Sequence, residues 1–214
     1  MAVGDARAIK RAALSFLILV LGMLWAPVAV LLDVEIIVHG MPELSATEIS
    51  QGSALLLSTL LMYTMVIKLP SQRGFLLLVA GLFLSMFLRE LDYLFDKISH
   101  GFWKYPVACV VLLTFALAAL FRKSVVPAMA EATRSVPFAY ILAGLAVVLF
   151  FSRVFGTGSF WEAILDAGAN VEAPALVKNA VQEGLELLGY VLVLYGSVLF
   201  FLQHRQPVQS ELDL

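Results

Sequence analysis

Apolar residues fall into six long runs along the chain, about 12–32, 49–67, 75–98, 106–121, 137–153 and 175–203, with short polar connections between them. A hydrocarbon core about 30 Å thick takes about 20 helical residues per crossing, and the runs are close to that length. None alternates apolar and polar positions as a barrel strand does, and backbone groups in lipid must be satisfied within the segment, so every run is predicted as a helix. The expected fold is all-α: a polytopic integral membrane helix bundle of six transmembrane helices, with residues 1–214 forming a single domain.

Boundary signals agree with these runs. Ser45-x-x-Glu48 is a capping box ahead of the second run. Pro106, Pro137 and Pro174 stand where a first-turn proline is tolerated, and Lys68-Leu69-Pro70 closes the second run. Between the fifth and sixth runs, Ser159 and Glu162 form another capping box. Phe160, Trp161, Ile164 and Leu165 share one face there, which predicts a short interfacial helix over about 160–167.

Composition sharpens the class. The 214 residues are 61% hydrophobic and 14% charged, whereas soluble domains are roughly a quarter charged, so no soluble domain is expected. A net charge of −2 offers no basic surface for nucleic acid, and the expected partners are the lipid bilayer and a homo-oligomer. Cys109 is the one cysteine, which excludes an intrachain disulfide or a CxxC site. Arg7, Lys10 and Arg11 precede the first apolar run as in a secretory signal, but that run exceeds the usual 7 to 15 residues and is expected to be retained.

Lys and Arg set the orientation, because they accumulate in cytoplasmic loops. With six spans, Arg7, Lys10, Arg11, Lys68, Arg73, Arg122, Lys123, Arg134 and Arg205 share one side. Most acids fall opposite, among them Asp33, Glu35, Glu43, Glu48, Asp166 and Glu172. Both termini are therefore expected in the cytoplasm, and the chain in the cell inner membrane as a multi-pass protein.

The charges of interest lie at the other end. Counting from Phe75 places Arg89, Glu90 and Asp92 inside the outer leaflet, with Arg153 of the fifth run and Glu183 and Glu186 of the sixth at the same depth and Lys178 a turn above. Charges inside a bilayer are costly and call for partners or a watered cavity. Arg89, Asp92, Asp96 and His100 share a helix face, and Glu183, Glu186 and Tyr190 form a stripe expected to oppose it, with Arg89 pairing with Glu186. The acids outnumber the bases, which points to a bound cation, a proton or open water, unless Lys97, Lys104 or His100 supplies the missing charge and the cluster is a structural salt-bridge network.

This site is expected to bind or translocate a small ion or polar solute through Arg89, Glu90, Asp92, Arg153, Lys178, Glu183 and Glu186. One alternative is a metal-assisted membrane enzyme acting on a lipid or periplasmic substrate. Its divalent ion would be held by Asp96 and His100 at i, i+4 and by Glu183 and Glu186 at i, i+3. The other is a non-catalytic scaffold subunit, suggested by the small residues Gly81 and Ser85 four apart. No HExxH, GxSxG or phosphate-binding glycine loop occurs. An internal echo aligns "QGSALLLSTLLMY" from Gln51 with "EGLELLGYVLVLY" from Glu183, as an ancestral repeat would.

Overall fold

The structure is a computed structural model and describes residues 3–37, 45–164 and 173–205, all of it helix and short connections without a strand. Glu43, Asp166, Glu172 and the last part of the expected interfacial helix lie outside the described residues. The long helices are α1 (Val3–Ile37), α2 (Ala46–Lys68), α3 (Arg73–Glu90) and, after the five-residue α4 (Asp92–Asp96), α5 (Lys104–Leu120). Then come α6 (Val125–Ala132), α7 (Val136–Ala146), a π-helical turn over Val147–Phe151, α8 (Ser152–Phe155), α9 (Gly158–Ile164) and α10 (Ala173–Arg205).

Five helical segments are long and apolar enough to cross a membrane, as in a multi-pass membrane protein. A sixth arises only if α5 and the segment Arg122–Ala132 count as one span, and these two are bent by 85°. The bend is held from α3: the Ser124 hydroxyl donates to the Phe121 carbonyl and accepts from the Gly74 N–H, while the Arg73 guanidinium lies over the Phe121 ring.

The third apolar run does not continue to residue 98 as one helix. Leu91 leaves helical geometry at φ −91° and ψ 16°, so α3 ends at Glu90 and Asp92 begins the separate α4. The chain then turns at Gly101, whose φ of 76° favours glycine. Asp96 braces this turn, accepting from the Gly101 N–H at 2.8 Å and bonding His100 Nδ1 at 2.9 Å. The Gly101 N–H, and secondarily His100, hold the Asp96 carboxyl below its ordinary range, so the brace persists in mild acid and is lost only as pH falls through that lowered value.

α10 is the central element, packed against α1, α2, α7 and α8. Glycines set its distance from α7: a Cβ on Gly196 would come within 2.6 Å of the Pro137 carbonyl oxygen, and one on Gly189 within 2.8 Å of that of Gly144. Small residues let helix backbones approach closely in this way. The Gly81 and Ser85 pair expected to face a partner subunit is used inside the bundle instead. Gly81 receives Thr114 of α5, and the Ser85 hydroxyl turns back to the Gly81 carbonyl.

The start of α2 is capped twice. Ser45 Oγ accepts from the Glu48 N–H at 3.0 Å, as its capping box predicts. Asp33 of α1 takes the next two donors, Ala46 N–H at 2.6 Å and Thr47 N–H at 2.9 Å, and so pins α1 to α2. Asp33→Ala leaves both donors unpaired and should cost about 1–3 kcal/mol. Amide exchange at Ala46 and Thr47 should speed up while that of α10 holds; unchanged rates would show that the cap does not stabilise the α2 terminus.

Candidate functional site

At the end of the bundle where α2 and α10 begin and α3 and α8 finish, four helices bring polar side chains into one layer. Helical spacing sets the α10 contribution: Glu183 faces α2, Tyr190 faces α3, and Gln182 and Glu186 face α8 and its C-terminal turn. Glu186 is 2% exposed and is held through a single oxygen. Its Oε1 lies 3.0 Å from Arg153 Nη2, accepts from Gln182 Nε2 at 3.4 Å, and stands 3.3 Å from Ser152 Oγ, whose one hydrogen is shared with the closer Val148 carbonyl.

The π-helical turn just before Ser152 inserts an extra residue into the α7–α8 segment, and such turns recur at functional sites. It sets the rotational phase at which Ser152 and Arg153 present themselves to α10. Arg153 is therefore the partner of Glu186, and the expected Arg89–Glu186 pair does not form. Arg89 instead reaches its neighbour Glu90 at 3.7 Å, a loose pair, with its side chain 38% exposed. From α3 it is Glu90 that meets α10, accepting from the buried Tyr190 hydroxyl at 2.8 Å. The expected face of Arg89, Asp92, Asp96 and His100 is interrupted where helical geometry lapses at Leu91, leaving Asp92 within electrostatic range of Arg89 and Asp96 bonded to His100.

Glu183 is bound to α2. Gln51 is fully buried, and its Nε2 donates both to Glu183 Oε2 at 3.0 Å and to the Glu183 carbonyl at 3.2 Å. Its other amide atom, Oε1, has no hydrogen-bond partner, and neither does the buried Thr47 hydroxyl. Unpaired buried acceptors are rare and ask for an explanation. Reversing the amide would turn an oxygen toward the Glu183 carboxylate, so the orientation shown is the favourable one.

Two openings reach the layer. A cavity of about 540 Å³ between α1, α2 and α10 is lined by Asp33, Thr47, Glu48, Lys178, Gln182 and Glu183 among others. A smaller one of about 200 Å³ between α2 and α3 is lined by Glu48, Phe87, Glu90 and Tyr93. The carboxylates of Glu90, Glu183 and Glu186 lie within electrostatic reach of one another. The guanidinium groups of Arg89 and Arg153 sit at the exposed rim, as long cationic side chains do near a membrane boundary.

The structure thus gathers Arg89, Glu90, Arg153, Glu183 and Glu186, with Lys178 on the cavity wall. Asp92 is exposed at the start of α4, within electrostatic range of Glu48. The four expected metal ligands are not assembled. Asp96 and His100 bond one another at the exposed turn, Glu183 and Glu186 are engaged within the bundle, and no group of three metal-donor side chains occurs among the described residues. Gln51, Ser152 and Gln182 were not singled out from sequence. The internal echo did align Gln51 with Glu183, the two residues that meet in space.

Helices and side chains together define a bundle of membrane-spanning type with an acidic polar layer at one end. No family model, curated protein or solved structure matches the chain.

Proposed function

We propose that the protein binds a small cation, or a polar solute presenting a positively charged donor, in the acidic layer between α2, α3, α8 and α10. The observation that carries this reading is the unpartnered Oε1 of Gln51 beside Glu183, in a layer where the carboxylates of Glu48, Glu90, Glu183 and Glu186 outnumber the cations Arg89, Arg153 and Lys178. A cation there would take up the spare acceptors and offset the surplus negative charge. Entry would be through the cavity that Glu183 and Lys178 line.

The positive-inside rule supports six spans in the inner membrane, with both termini cytoplasmic and this layer toward the extracytoplasmic side. In that arrangement α5 is the fourth span, and Arg122–Ala132, bent from it by 85°, lies in the basic cytoplasmic connection that follows. Binding is favoured over passage. Toward the basic end the core is closed by Met62, Met65, Leu76 and Phe83, and the hydroxyls of Ser58, Thr59 and Ser197 each bond a carbonyl of their own helix.

Thermal unfolding of the detergent-solubilised protein tests the proposal, with sodium, potassium and methylammonium chlorides titrated at constant ionic strength against choline chloride. At least one should raise the melting temperature in proportion to the logarithm of its concentration, and Glu183→Gln should remove that response. A wild-type protein indifferent to all three, or a response that survives in Glu183→Gln, would overturn the assignment.

A further inference from the structure

A third cavity lies at the opposite, basic end of the bundle and belongs to none of this chemistry. It is a groove of about 370 Å³ between α1 and α10, a volume typical of small-molecule sites. Its walls include Ile18, Leu19, Val198 and Leu202. The polar groups within it, Ser15 and Tyr195, satisfy each other, since the two hydroxyls are hydrogen bonded and Tyr195 also donates to the Ser15 carbonyl. The groove is thus apolar along its length.

One end of the groove is cationic. Arg11 lines it, Arg7 lies one turn earlier on the same face of α1, and Arg205 follows Leu202 by three residues along the lining face of α10. None of these arginines has a carboxylate partner among the described residues. The neighbouring His204 turns away, bonding the Phe200 carbonyl and stacking on that ring.

We propose that the groove holds an acyl chain of an anionic phospholipid, with the lipid phosphate bound by Arg11 and Arg205 and screened by Arg7. Planar guanidinium groups match phosphate oxygens in paired hydrogen bonds, and an apolar trough leading away from them matches the chain. Charge complementarity favours this occupant over a helix of a second copy. The described acids of a second copy lie mostly at the other end of the bundle; of the two at the basic end, Asp5 already has an interaction of its own beside the arginines of α1, and Glu131 is engaged by Gln72. A lipid seated there would extend the thin contact of α1 with the rest of the bundle, since Leu14 and Ile18, which line the groove, are otherwise exposed.

The test uses the full chain in detergent with dioleoyl phosphatidylglycerol or dioleoyl phosphatidylcholine added in parallel. At a hundredfold excess over its Kd, the anionic lipid should raise the melting temperature by roughly 5–10 °C, and the zwitterionic lipid by much less. The preference should vanish in Arg11→Gln/Arg205→Gln. It should also vanish in Val198→Trp, which fills the groove and leaves every charge in place. Each variant should melt near the wild type without lipid.

Equal stabilisation by the two lipids would overturn the proposal. So would a preference that survives in Val198→Trp, which would reduce the effect to general attraction between a basic surface and anionic lipid. Glycerol phosphate, the headgroup without chains, should not reproduce the shift; if it does, the groove is not the site. Disulfide cross-linking of two copies through Leu14→Cys, in a Cys109→Ala background and unaffected by lipid, would assign the groove to a second copy and overturn the lipid reading.

Discussion

Arg153→Ala should destabilise the bundle by about 3–5 kcal/mol, nearer the lower figure because the arginine is half-exposed. The loss falls on Glu186, left buried with a negative charge and only Ser152 and Gln182 as neutral donors. Replacing both partners by apolar residues of similar length, Arg153→Met with Glu186→Met, should recover most of the loss, because a buried ion pair is worth little net of its desolvation. Unfolding of the two single variants and the double variant in detergent measures the coupling, and additive losses would show that the pair does not interact. Arg89→Ala should cost less, since Glu90 keeps the Tyr190 hydroxyl as a donor.

Gly144→Val should cost about 3 kcal/mol or more and separate α7 from α10. A Cβ at Gly144 would meet the Gly189 carbonyl oxygen, and Val193 of α10 lies within 2.9 Å of the same position. Backbone atoms cannot rotate aside as a side chain can, so the helices must move apart. That movement would also pull Ser152 and Arg153 from Glu186, so loss of the cation response and loss of stability should appear together. Gly52→Ala is the contrast. Its Cβ would stand 3.8 Å from Phe87, in ordinary contact, and exchanging glycine for alanine within a helix should be neutral or stabilising by up to about 1 kcal/mol. If both variants melt alike, the α7–α10 approach is not a constraint on the fold.

Much of this protein is visible in residue order because lipid imposes local rules. A segment of about 20 apolar residues has to satisfy its own backbone as a helix, so the positions of α1, α2, α7 and α10 follow from hydrophobicity alone. The capping box at Ser45 is equally local, since its hydrogen bond closes over three residues. Depth along a helix is also countable, which places Arg89, Glu90, Asp92, Arg153, Glu183 and Glu186 near one level from residue order alone.

Partner choice within that level depended on rotation about each helix axis, which depth does not specify. The π-helical turn over Val147–Phe151 sets the phase at which Arg153 meets Glu186, and the break at Leu91 makes Glu90 the residue that reaches Tyr190. Asp33 capping α2 and the bend after Phe121 are likewise contacts between elements distant in sequence. The sequence by itself determined helix content, apolar spans and the layer of charge, because those rest on local backbone satisfaction and rise per residue. Only the tertiary structure decided which carboxylate meets which guanidinium, where glycines join helices, and that Gln51 is left with a free acceptor, because those depend on helix phase and close approach.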